Sequence, residues 1–117
     1  MYPIFLDVES TGLDVTKDRL IQLAYKHRGT GEVVNELFKP SLAIPYESMA
    51  VHHITEEMVA DKPAFDGSDA QKKLLADLKG NILVAHNAPY DMAILANDNV
   101  VVDRFIDTRR VSQHLLP

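Results

Sequence analysis

The chain of 117 residues is long enough to bury one hydrophobic core and too short for two domains, and its 46% hydrophobic and 25% charged residues are typical of a soluble globular protein. The absence of cysteine excludes disulfides and thiolate sites, and the sequence contains no signal peptide or membrane-spanning stretch, so we expect a cytoplasmic protein without a membrane partner. A net charge of −5 argues against a sequence-independent nucleic-acid coat, but it permits a nuclease that gathers acidic groups in one pocket.

The first third of the chain predicts three antiparallel strands. Residues 4–8 form a short apolar run before a turn at residues 10–14, which indicates a buried strand. A second strand is predicted over residues 20–25, and the hairpin signal Gly-Thr-Gly at 29–31 separates it from a third over 32–38. These strands are expected to form a meander.

Helical patterns follow in the middle of the chain. Residues 45–60 predict short helical turns, with Thr55 before two glutamates as a helix start signal. Apolar positions recur at helical spacing over 70–78, and Gly80 closes that helix. The apolar segment 81–86 then predicts a buried strand.

The last part predicts one more helix and strand before a final helix. Residues 87–89 begin the helix and 97–99 end it, and a strand region is expected over 100–106. A final helix is expected to contain Val111, His114 and Leu115. The order βββαβαβα predicts an α/β fold with a mixed five-stranded sheet, three antiparallel strands followed by two parallel ones, flanked by helices.

Two carboxylates end the first predicted strand. Asp7 and Glu9 are two residues apart, so the alternation of a strand points both to one side and Val8 to the other. Two close carboxylates favour a hard divalent cation such as Mg²⁺ or Mn²⁺. A solvated strand end is the alternative for this pair alone.

The residues after this pair and after the fourth strand extend the candidate site. Ser10, Thr11 and Gly12 form a small hydroxyl-rich turn whose backbone can approach a ligand, although Gly12 by itself indicates only a turn. Asp91 falls in the first turn of a helix, where it either stabilises the helix dipole or adds a third acidic group. Asn87 is alternatively an N-cap.

Three ordered segments carry a resemblance to a known family. The sequences FLDVESTG at 5–12, VHHIT at 51–55 and VAHNAPYD at 84–91 resemble successive motifs of DnaQ-like DEDD exonucleases, in the subclass with a catalytic histidine. The similarity extends through FIDTR at 105–109 and so covers nearly the whole chain. This family includes the proofreading subunit of bacterial DNA polymerase III and ribonuclease T.

The resemblance implies a ribonuclease H-like fold and a metal-dependent 3′→5′ exonuclease that releases nucleoside monophosphates from single-stranded DNA or RNA, with a role in proofreading. It implies that Asp7, Glu9 and Asp91 are catalytic and bind Mg²⁺ or Mn²⁺ in a two-metal site. It also implies nucleotide contacts from Ser10, Thr11, Gly12, His52, Ile54 and Asn87. His53 departs from the pattern, where glycine is common. A DNA polymerase subunit is an implied partner.

The same resemblance implies that residues 1–117 are a single exonuclease domain that is incomplete at its C-terminal end. The family has a catalytic His or Tyr shortly before a fourth acidic ligand, on a helix beyond the segment equivalent to 107–108. His114 lies too early for that role, and nothing acidic follows it. We therefore expect the two-metal site to be incomplete, the chain alone to have little or no activity, and apolar surface to be exposed on one sheet face.

Three other interpretations remain at this point. A non-catalytic module that binds nucleic acid or polymerase would keep the fold without needing a divalent cation. A purely structural α/β domain would bind no metal at its acidic residues. A ribonuclease H-type endonuclease fits the fold, but the motif over 86–91 suits the exonucleases better.

Overall fold

One mixed sheet organises the computed structural model, which describes residues 1–110 of the chain. Strands β1 (Pro3–Ser10), β2 (Leu20–His27) and β3 (Val33–Leu37) pair antiparallel in sequence order, which confirms the predicted meander. The hairpin between β2 and β3 turns through Gly31, whose φ of 78° is a conformation that favours glycine.

Two parallel strands complete the sheet. Strand β4 (Ile82–Ala85) pairs parallel to β1, and β5 (Phe105–Asp107) pairs parallel to β4, so the strand order is β3-β2-β1-β4-β5. The predicted α/β fold with a mixed five-stranded sheet is thereby confirmed. Because β1 and β4 run in the same direction, their C-terminal ends lie at the same edge of the sheet.

Four helices lie wholly within the described residues: α1 (Tyr46–His52), α2 (Glu56–Val59), α3 (Asp69–Leu78) and α4 (Ala88–Asn97). The predicted short helical turns are α1 and α2, and the Thr55 hydroxyl accepts the Met58 N–H at the start of α2. Ser68 caps α3 in the same way through the Gln71 N–H. Residues 108–110, where the predicted final helix begins, are helical, and Val111, His114 and Leu115 lie outside the described residues.

The fifth strand differs from the prediction over 100–106. It contains only residues 105–107, because the chain must first leave α4 and return to the edge of the sheet. The Val100 N–H still bonds to the carbonyl of Leu95, and the Val100 side chain packs in the core. Val100 and the partly buried Val102 therefore pack in the core rather than extend the strand, while Val101 is exposed.

The main core lies between the sheet and helices α3 and α4. Strand β1 alternates strictly, with Ile4, Leu6 and Val8 buried on this side. They pack against Leu74 of α3 and Ile94 of α4. The side chains between them face the other side of the sheet, where Phe5, Val33 and Ile106 are exposed. Within residues 1–110, no helix has the length and apolar character needed to cross a membrane.

Candidate active site

Asp7 and Glu9 lie on one face of β1, as the alternation predicts, while Val8 between them is buried on the opposite face. Asp7 is paired with Ala24 of β2, whose small side chain leaves the space above the sheet open. A bulge follows Glu9, so the strand leaves its regular register where the turn begins. The two carboxylates thus stand at the C-terminal end of a central strand.

Asp91 reaches the same edge of the sheet from the first turn of α4. This helix begins shortly after β4, which is paired with β1 through Phe5 and Val84. The Asp91 side chain is only 4% exposed, yet no side chain or backbone group among residues 1–110 donates a hydrogen bond to it. A buried carboxylate without a donor is costly, so this placement indicates a partner other than the described protein groups.

The charged groups that act on the Asp91 carboxylate are themselves carboxylates. Burial, together with the negative charges of Asp7, Glu9 and Asp107, raises the pKa of Asp91 from 3.8 to about 7. The pKa of Glu9 is also raised, first by burial and then by Asp7, while His52 opposes the shift. Four carboxylates therefore share one electrostatic environment.

The oxygen atoms of these carboxylates are suitable ligands for a hard divalent cation. Within residues 1–110, no group of three or more His, Cys, Asp or Glu side chains is close enough, as placed, to enclose a metal ion. The carboxylates of Asp7, Glu9 and Asp91 nevertheless supply the oxygen ligands that Mg²⁺ and Mn²⁺ prefer, and their mutual repulsion would be relieved by a cation. These three carboxylates would therefore supply part of the coordination shell of such an ion.

Ser10 and Tyr90 fasten the turn after β1 to the start of α4. The Ser10 hydroxyl donates to the Gly12 carbonyl at 2.6 Å and also bonds to the Tyr90 hydroxyl, which is 3.1 Å from the same carbonyl. Ser10 is buried, so its side chain is used within the protein. These bonds fix the turn relative to the helix that carries Asp91.

Asp18 fixes the other side of this turn. Its carboxylate accepts hydrogen bonds from the Thr11 hydroxyl and the Asp14 N–H, both at 2.7 Å. A Cβ atom on Gly12 would lie 2.6 Å from the Asp18 Oδ2, so only glycine fits there. Thr11 is buried as well, which leaves the backbone as the part of this turn that can contact a ligand.

A cleft of about 570 Å³ opens beside the turn. Five predicted site residues line it: Glu9, Ser10, Thr11, Gly12 and His52. Ile54 is elsewhere, because its side chain packs in a second core cluster with Ile21, Ile44 and Val59. Asn87 precedes α4 and is exposed, and its side chain makes no capping bond. The turn after β1 and His52 therefore line one cleft, and the Ile54 side chain does not.

Sequence reasoning overlooked Asp107, Tyr90 and Asp18 as parts of this site. Asp107 is buried at the end of β5, where it adds to the negative charge around Asp91. Its position at the end of a strand parallel to β4 was the available signal. Asp18 gave no comparable signal, because its hydrogen-bond donors become neighbours only after the loop has folded.

Comparison with protein families and characterised relatives identifies the group to which this arrangement is similar. The family model RNase_T, described as Exonuclease, matches residues 4–115. A DNA polymerase III subunit epsilon-like protein of Rhodobacter capsulatus is 36% identical over 110 residues, which are 89% of this chain and 15% of that protein. The DNA polymerase III subunit epsilon of Treponema pallidum is 29% identical over 120 residues, 95% of this chain and 55% of that protein.

Solved exonucleases have the same fold. Exonuclease X, solved in complex with 5′ overhanging duplex DNA, superposes with a TM-score of 0.67 at 26% identity over 98% of this chain and 64% of that one. Exonuclease I of Methylocaldum szegediense gives a TM-score of 0.76 at 18% identity over 99% of this chain and 30% of that one. The predicted ribonuclease H-like fold is thereby confirmed. The chain spans about half or less of the two polymerase III relatives.

Proposed function

The chain belongs to this exonuclease family, and from that premise we propose that it is the nuclease domain of a metal-dependent 3′→5′ exonuclease. Its substrates are single-stranded DNA or RNA ends, and its products are nucleoside monophosphates. The observation that carries the proposal is Asp91, a buried carboxylate that accepts no hydrogen bond from residues 1–110 and shares its surroundings with Asp7 and Glu9. Clustered carboxylates with a raised pKa are concentrated at functional sites in proteins.

Asp7, Glu9 and Asp91 are the proposed ligands for Mg²⁺ or Mn²⁺. When bound, the divalent ions supply Lewis-acid stabilisation of the phosphate charge and make a water molecule easier to deprotonate. The protein's own part is to hold the three carboxylates on a strand and a helix whose relative position is fixed by the bonds of Tyr90 to the turn. Rigid supports of this kind keep ligands in place during the reaction.

The turn after β1 is the proposed seat of the terminal nucleotide. Ser10 and Thr11 contribute indirectly, because their buried hydroxyls hold the backbone of the turn in shape. Gly12 allows a ligand close to that backbone. Ile54 contributes through its N–H, which donates to His52, and exposed Asn87 is available to the strand at the start of α4.

The relatives support DNA as the first substrate to test and a polymerase as the first partner. The similar exonuclease X was solved with a duplex whose 5′ strand overhangs, and such a duplex presents a recessed 3′ end. The relatives from Rhodobacter and Treponema are named for a DNA polymerase III subunit. These similarities favour a proofreading role for this chain.

The decisive experiment follows mononucleotide release from single-stranded DNA and RNA labelled at the 3′ or the 5′ end. Residues 1–117 are compared with a longer chain that continues through the downstream reading frame, each in Mn²⁺ and in EDTA. We expect the extended chain to release labelled mononucleotide at once from the 3′ label, only in Mn²⁺, and Asp91→Asn to abolish it. Silence of both chains in Mn²⁺ would refute the enzyme and favour a binding module.

A further inference from the structure

One buried nitrogen at the cleft has no partner among the described residues. It is the Nε2 atom of His52, the last residue of α1, which is shielded from solvent and makes no hydrogen bond within residues 1–110. His52 lines the cleft together with Glu9. An unsatisfied buried polar atom costs about 1–3 kcal/mol, so its presence beside a candidate site points to a role there.

The other ring nitrogen determines what this atom can do. The Nδ1 atom accepts the Ile54 N–H at 3.0 Å, so it carries no proton itself. A neutral imidazole with an acceptor at Nδ1 has its proton at Nε2, and the unpartnered atom is therefore a donor. His53, which lies between His52 and Ile54, adopts a φ of 62°, a conformation that glycine also adopts readily, and the Ile54 N–H reaches Nδ1 across this turn.

Glu9 is the complementary group in the same cleft. No group among residues 1–110 donates a hydrogen bond to its carboxylate, whose pKa is raised by burial and by the charge of Asp7. The Glu9 carboxylate thus lacks a hydrogen-bond donor, and the Nε2–H of His52 lacks an acceptor. Carboxylates that hold metals are commonly oriented by such a donor behind them.

We propose that His52 is a positioning residue: its Nε2–H, which makes no hydrogen bond in this structure, donates to the Glu9 carboxylate when a divalent cation binds and holds that carboxylate in the binding orientation. This inference rests on the proposed metal-dependent function and adds a residue to it. It also differs from the nucleotide contact implied for His52 by family resemblance. A donor to Glu9 affects cation binding even when no nucleotide is present, whereas a nucleotide contact does not.

The test measures Mn²⁺ affinity by electron paramagnetic resonance in the absence of nucleotide. His52→Asn keeps an oxygen for the Ile54 N–H and removes the donor at Nε2, while His52→Gln restores a donor near Nε2. We expect His52→Asn to weaken Mn²⁺ binding about tenfold and His52→Gln to recover part of the loss. In a Glu9→Gln background His52→Asn should have no further effect. His53→Gly, which removes an exposed imidazole one residue away, is the matched control and should bind Mn²⁺ like the wild type.

A second measurement uses the unaltered chain. Long-range proton–nitrogen spectra report the ring nitrogens of each histidine, and addition of Mg²⁺ should shift the Nε2 signal of His52 more than that of His53. If wild type binds Mn²⁺ and His52→Asn binds it equally well, the inference is wrong while the proposed function stands. Loss of thymidine monophosphate binding with unchanged Mn²⁺ affinity would assign His52 to the nucleotide instead. Failure of wild type to bind Mn²⁺ at millimolar concentration would overturn both proposals.

Discussion

Asp18 and Asp91 are buried carboxylates on the two sides of the same turn, and their surroundings are opposite. Asp18 is 8% exposed and accepts hydrogen bonds from the Thr11 hydroxyl and the Asp14 N–H. Asp91 is 4% exposed, accepts none from residues 1–110 and faces three other carboxylates. Burial with donors serves the fold, while burial without them costs stability and is explained by a ligand.

The largest expected effect is a loss of nuclease activity on substitution of Asp91 that substitution of Asp18 does not produce in the same way. Asp91→Asn should lower the rate of the extended chain about a thousandfold, because several kcal/mol of transition-state stabilisation depend on the cations that it helps to hold. Its folding should not suffer. Asp18→Asn should instead lower stability by about 2 kcal/mol, since an amide presents a donor to groups that need an acceptor. Mononucleotide release and urea denaturation of both variants make the comparison, and a destabilised Asp91→Asn would contradict it.

The next effect concerns the space between Asp18 and the turn. Gly12→Ala should cost about 1–3 kcal/mol, because its Cβ would lie 2.6 Å from the Asp18 Oδ2. Gly12 is not among the residues with positive φ, so the cost arises from contact rather than from backbone strain. Adding Asp18→Ala removes the contact, and the double variant should lose less stability than the sum of the single losses. Strict additivity in urea denaturation would show that the clash is relieved in some other way.

Asp91 also predicts how stability depends on pH. Its pKa is about 7 in the folded protein and about 3.9 in an unfolded chain, so between these values the folded state binds the extra proton. The free energy of unfolding should therefore fall as pH rises from about 4 to about 7, and the contribution of Asp91 should then stay constant. Asp91→Asn removes this contribution and should be about 2 kcal/mol more stable than wild type at pH 8.

The pH profile has its own control. Denaturation midpoints of wild type and Asp91→Asn measured across this range should converge near pH 4 and separate above it. Addition of Mn²⁺ should reduce the separation, because a cation stabilises the charged carboxylate of the wild type only. Parallel profiles for the two proteins would show that Asp91 titrates normally and that its surroundings contain a donor.

Much of the fold could be predicted because its signals are local. Strand β1 is a short apolar run that ends before a turn, and Thr55 and Gly31 mark a helix start and a hairpin. The fifth strand was misplaced because a strand of three residues is too short to show alternation. The apolar segment that begins at Val100 and precedes this strand was mistaken for the strand itself.

The carboxylates of the candidate site could be predicted from the sequence, but the hydrogen bonds that hold the surrounding turn in place could not. Asp7 and Glu9 are close in sequence, and Asp91 follows a strand whose end had to meet theirs in a parallel pairing. The bond between Ser10 and Tyr90 joins residues 80 positions apart, and the packing that decides it is absent from any local pattern. The unpartnered nitrogen of His52 likewise exists only in three dimensions.

The smallest expected effect tests whether α4 and the loop that contains Asp18 are held together at a second point. The Asn97 side-chain amide donates to the carbonyls of Val15 and Asp18 at 3.0 and 2.9 Å. Asn97→Ala should cost about 1 kcal/mol, because water can reach part of this site and replace the lost donor. Asn35→Ala removes an amide that bonds to Gln22 on the exposed sheet face and should cost less. Equal losses for the two variants in urea denaturation would show that the loop is held through Tyr90 and Arg19, and that Asp91 keeps its place without the second attachment.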